Sequence, residues 1–237
     1  MLIEIWSDIM CPFCYIGKAH FEKALDSVSF KDEIEVIYKS YQLDPNYQHL
    51  PGDTTFKYLS RSKGMSLEQV KEMTSHVEQM GKNAGLIINF NTSVPANTFK
   101  SHELIHFAAS IGKAKEMKER LFKAHFQEGL NIQDSEILLT LSANIGLSKE
   151  STNEALKSDK YAYDVKQDVA EAQQLGIRGV PFFLFNRKYA VSGAQPEQVF
   201  VEVLQKSYTE WKESDSAFTF LAGDESSPSC TDDKCDI

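Results

Sequence analysis

The chain has no stretch approaching the roughly 18 consecutive apolar residues that a membrane-spanning helix requires. Positive charge is short as well: 25 Lys and Arg against 34 Asp and Glu leave a formal charge of −9. Nucleic acid or an anionic membrane calls for a basic patch, and this balance argues against both as partners. Cysteine is scarce, four in 237 residues, too few for a secreted domain stapled by disulfides. The opening residues lack the basic region, apolar core and small-residue cleavage site of a secretory leader, and Met1 runs straight into an apolar stretch. The expected setting is therefore the reducing cytoplasm, where disulfides are transient and catalytic. No internal repeat is visible. What remains is an ordinary globular composition, 42% hydrophobic and 25% charged, long enough to bury a sizeable core.

The four cysteines fall in two close pairs, and the first pair carries the strongest signal. Ile3, Ile5 and Ile9 with Trp6 mark a short apolar strand, and Cys11-Pro12-Phe13-Cys14 follows it. Beyond Cys14 the period changes, with Phe21, Ala24, Leu25 and Val28 at helical spacing. The CxxC thus lies where a strand hands over to a helix. Pro12 suits the first helical turn, where its missing N–H costs nothing. Cysteines three apart in such a turn face one side and can close into a small disulfide. The first sulfur sits among unpaired helix N–H groups, at the end of the dipole that favours a thiolate. Cys11 is the expected nucleophile, and Cys14 the resolving thiol that expels the mixed disulfide. The competing reading is half a zinc site. A closed site wants four ligands, and neither a second CxxC nor a nearby Cys/His pair supplies them, so no metal is expected.

Ile34 to Tyr38 and Tyr41 to Leu43 read as a second strand, broken by Asp44-Pro45-Asn46. From about residue 56 to 175 the pattern is mostly helical. Ser66-Leu67-Glu68-Gln69 forms a capping box for a helix ending near Gly81 or Gly85. An extended link covers 86–95, and helices are expected around 97–111, 113–128, 134–145, 148–157 and 159–175. Strand signal returns in Val180-Pro181-Phe182-Phe183-Leu184-Phe185, with Asn186-Arg187-Lys188 as a hairpin turn and Tyr189 to Val191 as the partner strand. A last helix begins near Pro196. A proline inside a buried strand would remove a ladder hydrogen bond, so Pro181 is read at the strand's entrance, and the residues alone suggest an ordinary trans bond.

Four stretches carry a family likeness: SDIMCPFC at 7–14, NTFKSHELIHFA at 97–108, LFKAHFQEGLNI at 121–132 and LGIRGVPFFLFNRKYAVSGAQP at 175–196. With the element order, they resemble the DsbA-like branch of the thioredoxin superfamily, and within it the FrnE-like proteins, over roughly residues 1–208. The resemblance implies an α/β, thioredoxin-like fold (βαβ…ββα) with a large all-helical insertion after the second strand. The thioredoxin-like domain would be discontinuous, 1–50 and 176–212. Residues 51–175 would form the insertion, and 213–237 an acidic tail. The implied activity is thiol–disulfide exchange on protein or small-molecule disulfides, as oxidoreductase or isomerase. The likeness also implies that Val180–Pro181 is cis and packs opposite Cys11. Disulfide- or thiol-containing protein substrates would bind near Phe13, Val180 and Pro181 by strand addition. No cofactor is required, and glutathione or a thioredoxin system would supply or accept electrons.

Two features depart from DsbA itself. DsbA carries a histidine between its cysteines that stabilises the thiolate, whereas Phe13 cannot donate, so a weaker oxidant is expected. Glu4 could take the place of the buried acid that relays protons beneath the second cysteine in relatives; the competing reading is an exposed strand glutamate. The tail, GDESSPSCTDDKCDI from Gly223, sets five acidic side chains against one lysine and ends in Cys230 and Cys235. Some FrnE-like proteins share such a pair. The eight residues from Gly223 to Cys230 reach about 25 Å when extended. A redox relay to Cys11/Cys14, thiolate capture of a metal, and a solvated tail with incidental cysteines all remain open.

Two other classes compete. His102-Glu103-Leu104-Ile105-His106 is a formal HExxH, the pattern of a zinc hydrolase. The extended form wants a glycine and a third histidine, where this chain has Ala109 and Gly112. Glu128 is the remaining third-ligand candidate, and packing histidines are the plain reading. Glutathione-dependent isomerases and transferases of the same fold are the other class. They typically carry serine at the first cysteine position, which two cysteines here argue against. Oligomeric state, direction of transfer and substrate are not encoded legibly.

Overall fold

A computed structural model describes residues 1–50, 52–215, 230–231 and 234–235. In chain order the elements are β1 (Leu2–Ser7), α1 (Pro12–Ser27), β2 (Glu35–Ser40), α2 (Thr55–Lys63), α3 (Leu67–Asn83), α4 (Phe99–Ala109), α5 (Ala114–Phe126), α6 (Ser135–Asn144), α7 (Lys149–Lys157), α8 (Asp159–Gln174), β3 (Phe182–Phe185), β4 (Tyr189–Ser192) and α9 (Glu197–Asp215). A short 3-10 turn at Lys31–Glu33 precedes β2. The four strands form one sheet in the order β2-β1-β3-β4. β1 runs parallel to β2 and antiparallel to β3, with Ile3 opposite Phe185 and Ile5 opposite Phe183. Asn186 and Arg187 both take positive φ in the β3–β4 turn, the geometry of a tight hairpin.

Strand alternation sorts β1 between two covered faces. Ile3 and Ile5, with Phe183 and Phe185 of β3, meet α1 and α9. There Phe21, Phe183 and Phe200 pack with ring centroids 4.7 to 5.8 Å apart. Each such pair adds about 0.5–1.5 kcal/mol beyond its buried area. Trp6 and Leu184 leave the other face and pack on Ala172 of α8 and Ile177 beyond it.

Two ties fix the inserted helices to the sheet. Tyr15, next to Cys14 in α1, stacks on Phe122 of α5 at 4.8 Å. Asp168 of α8 accepts from the Ser40 amide at 2.8 Å and from Lys39 Nζ at 2.8 Å, and meets His106 Nε2 at 3.0 Å. Burial drives the Asp168 carboxyl up, but His106, Lys39 and the Ser40 amide outweigh it and hold the group below its ordinary range. The Asp168 carbonyl also accepts from the Trp6 indole at 3.1 Å.

The capping box closes in both directions at Ser66 and Gln69, and α3 stops at Asn83, between the two glycines expected to end it. The second strand is shorter than its sequence suggests. It ends at Ser40, because the Leu43 amide turns inward to donate to Asp8 Oδ2 at 2.7 Å. Ile9 likewise falls beyond β1, in the loop that leads to the cysteines.

Candidate active site

Cys11 is the N-cap of α1, and Pro12 opens the helix. The Cys11 amide donates to the Asp8 carbonyl at 3.1 Å, and the Cys14 amide to the Cys11 carbonyl at 3.0 Å. Both thiols are free, at 4% and 1% exposure, while Phe13 between them is 39% exposed. The Cys11 thiol donates to the Val180 carbonyl at 3.6 Å, and the Val180–Pro181 peptide bond is cis. Gly17 allows this approach: a Cβ there would lie 2.9 Å from Pro181 Cγ. Gly17→Ala should therefore displace the proline loop and cost about 1–3 kcal/mol, read by chemical denaturation. An unchanged midpoint would mean that the contact is slack.

The second sulfur lies in a different environment. Burial, and then the adjacent Cys11 sulfur, push the Cys14 thiol well above its ordinary range. Lys118 of α5 is 2% exposed, with its ammonium 5.2 Å from the Tyr38 ring centroid. Among the described residues, no carboxylate pairs with it directly. Burial pulls Lys118 down to about 8, against the opposing pull of Cys14, Asp8 and Asp168, in that order. Burial also drives Asp8 up, but His102 and the Leu43 amide outweigh that and keep its carboxyl low. His102 itself is lowered by burial, and its Nε2 stands 3.6 Å from Asp8 Oδ1.

Beside Cys11 a groove of about 350 Å³ opens toward α2 and α3, with Met10, Phe13, Leu43, Met73, Phe90 and His125 in its lining. A larger hollow of about 670 Å³ runs along β2, but it reaches neither sulfur. Cavity size and chemistry thus point to different places, and the reactive groups favour the groove.

The sequence profile of the DSBA-like thioredoxin domain matches residues 2–205. The chain belongs to that family. The uncharacterized protein YwbO of Bacillus subtilis strain 168 is 32% identical over 204 residues, 85% of this chain and 94% of its own. A probable DsbA oxidoreductase of Streptomyces coelicolor is 33% identical with a TM-score of 0.83, covering 100% of this chain and 99% of that one. The cytosolic disulfide reductase DsbM of Pseudomonas aeruginosa, solved with GSH, shares the fold at 16% identity and a TM-score of 0.63, over 88% and 100% of the two chains. The family is one of thioredoxin-fold oxidoreductases.

Within this DsbA-like frame, one expectation needs correction. Glu4 is neither exposed nor beneath Cys14. It leaves β1 on the face opposite α1, is 2% exposed, and pairs with Arg187, which also reaches Glu171 at 2.7 Å. The proton-relay role is withdrawn, because the sheet itself separates Glu4 from the cysteine helix. The HExxH residues diverge. His102 faces Asp8, Glu103 pairs with Lys100 at 2.7 Å, and His106 is held by Asp168 and by Ser40 Oγ at 3.0 Å. Glu128 makes a two-pronged pair with Arg120, both contacts 2.8 Å. Among the described residues no three His, Cys, Asp or Glu converge as a metal would need.

The tail lies mostly outside the described residues; Cys230 and Cys235 pair opposite each other in a two-stranded backbone hairpin. Sequence reasoning passed over Lys118 and His125. Their spacing from Phe122, i−4 and i+3, places both on a buried stripe of α5, and that periodicity was the available signal.

Proposed function

We propose that this chain is a cytoplasmic thiol–disulfide oxidoreductase or isomerase of the FrnE-like branch, acting on protein disulfides through Cys11 and Cys14. The observation that carries the reading is the helix-capping Cys11 thiol set 3.6 Å from the Val180 carbonyl, at a cis proline. Cys11, as thiolate, attacks one sulfur of a substrate disulfide. A mixed disulfide forms and the other substrate sulfur leaves as thiolate. Cys14 gives up its proton and attacks Cys11 Sγ. The second substrate thiolate leaves, and Cys11–Cys14 closes. Two electrons have then passed from the dithiol to the substrate; oxidation runs the same steps backwards. The backbone at Val180 is placed to pair with an extended substrate, with Phe13 and Pro181 beside it.

Glutathione or a thioredoxin system would return the dithiol to its working state, and the chemistry demands no metal, nucleotide or flavin. Nucleic acid and membrane have no part in this reading. The Cys230/Cys235 pair is proposed as a tethered relay, raised by its linker to millimolar effective concentration. Phe13 offers the Cys11 sulfur no hydrogen bond, so the pair should be a weaker oxidant than DsbA. A redox titration against glutathione should place its potential between about −180 and −270 mV, and a value near about −120 mV would overturn that poise. The same titration on Cys230→Ser/Cys235→Ser protein, followed by turnover, tests the relay, which fails if turnover is unchanged.

A glutathione-dependent isomerase or transferase of the same fold is the second reading. Activity that survives Cys11→Ser would select it.

A further inference from the structure

Exchange between Cys11 and Cys14 leaves His125 without a task. It sits in the last turn of α5, 3% exposed, with its ring edge-on to Phe126 at 4.5 Å between centroids. Its Nδ1 is buried, and no hydrogen-bond partner reaches it. Burial holds the imidazole down to about 4, so at neutral pH the ring is uncharged and offers one donor and one acceptor. Native proteins rarely leave a buried polar atom unmatched, and an apolar residue would avoid the mismatch.

The same ring lines the groove beside Cys11. The other polar side chains of that lining are already committed. Thr55 donates to the Ser93 carbonyl at 2.8 Å and Thr74 to the Val70 carbonyl at 2.9 Å. Tyr58 donates to Asp44 at 3.2 Å, and Ser62 to the Leu59 carbonyl at 3.3 Å. Lys63 is the one ammonium in the lining, and no carboxylate joins it. The remainder is apolar, and about 350 Å³ lies at the small end of ligand pockets, enough for one large side chain. Glutathione carries two carboxylates, and Lys63 can answer only one of them in an otherwise uncharged wall. A neutral aromatic side chain that carries its own hydrogen-bonding group fills the volume and answers the free nitrogen. Because Cys11 forms part of the same wall, the occupant must lie close in sequence or space to the reacting sulfur.

We propose that His125 is a specificity-determining residue whose ring hydrogen-bonds a hydroxyl or indole N–H on an aromatic side chain of the polypeptide being exchanged at Cys11. This deepens the disulfide reading above and rests on it. Substrates with tyrosine or tryptophan near the reacting cysteine are preferred over those with phenylalanine, by the worth of one hydrogen bond.

The test uses two disulfide-bonded peptides that differ only in Tyr or Phe two residues from the cysteine, with glutathione as electron donor. The full-length wild-type protein should show a kcat/KM about tenfold higher for the Tyr peptide. His125→Phe should level the two, and His125→Asn, whose amide lies near the Nδ1 position, should keep the preference. Selectivity is a ratio, so a partly unfolded variant lowers both values alike and leaves the ratio unmoved. Equal rates in the wild type, or a preference that persists in His125→Phe, would overturn the role of His125. Loss of the preference in both variants would assign it to shape and overturn the hydrogen bond as well. If the wild type reduces neither peptide, the disulfide reading itself has failed.

Discussion

Cys14→Ser protein, mixed with a disulfide-bearing substrate, should accumulate as a covalent adduct through Cys11, and Cys11→Ser protein should form none. The asymmetry follows from position. Cys11 caps α1 and forms part of the groove wall, whereas Cys14 lies one turn in, 1% exposed, with its thiol pushed up by burial and by the neighbouring sulfur. A substrate sulfur can therefore meet Cys11 first, and only an intramolecular attack by Cys14 releases it. Without that attack the mixed disulfide has no fast exit. Turnover in Cys11→Ser should fall at least about a thousandfold, the scale on which covalent nucleophiles are missed. Mass mapping of the trapped adduct reads the result. An adduct on Cys14, or turnover surviving in Cys11→Ser, would reverse the assignment.

Lys118→Met should make the protein more stable and slower. The folded ammonium ionises near 8 against an ordinary 10.5. A lysine lowered in the folded state imposes a folding penalty at every pH below the folded value. The penalty is relieved as pH rises from about 8 toward 10.5. At pH 7 it comes to about 3 kcal/mol, and methionine removes it. For a chain of this size, unfolding should move up by roughly 6–12 °C. The gain should shrink at pH 9.5, where the wild-type lysine is already mostly neutral. The loss lies at Cys14, whose ionisation the ammonium assists from within the core. Release of the mixed disulfide should slow severalfold at neutral pH, because the Cys14 thiolate loses the nearby ammonium that favours it. Denaturation at the two pH values and rapid acid quench of the adduct measure both effects. A variant that is less stable at pH 7 and resolves at the normal rate would show the charge to be structural.

The corner carrying Cys11 and Cys14 was legible because its signals are local: a strand period, then a helix period, with a proline that belongs at N1. The hairpin at Asn186 and Arg187 was legible for the same reason. Glu4 was not. Alternation assigns it a face, but whether that face is wet depends on α8, which arrives some 160 residues later in the chain. Tyr41 to Leu43 failed similarly, since nothing nearby announces that Asp8 will capture the Leu43 amide. The HExxH string shows the reverse hazard. Its one-turn spacing is local and correct, yet the two rings are claimed by aspartates from different elements, Asp8 and Asp168. Lys118 and His125 sit between these cases: the stripe that buries them is readable, but the sulfur and groove they face are not.

The place of β1 in the sheet also bears on how the protein comes into being. A nascent chain can pair β1 with β2 once residue 40 has emerged, but β1 gains its second neighbour only when Phe182 to Phe185 exist. Throughout translation of the inserted helices, the strand that leads to the cysteines keeps an open edge, and Cys11 lacks the carbonyl that will face it. The two thiols therefore pass most of synthesis as ordinary sulfurs, open to any oxidant or stray partner. They become a matched pair only at the end, when the Val180 carbonyl and the cis Pro181 come to face Cys11.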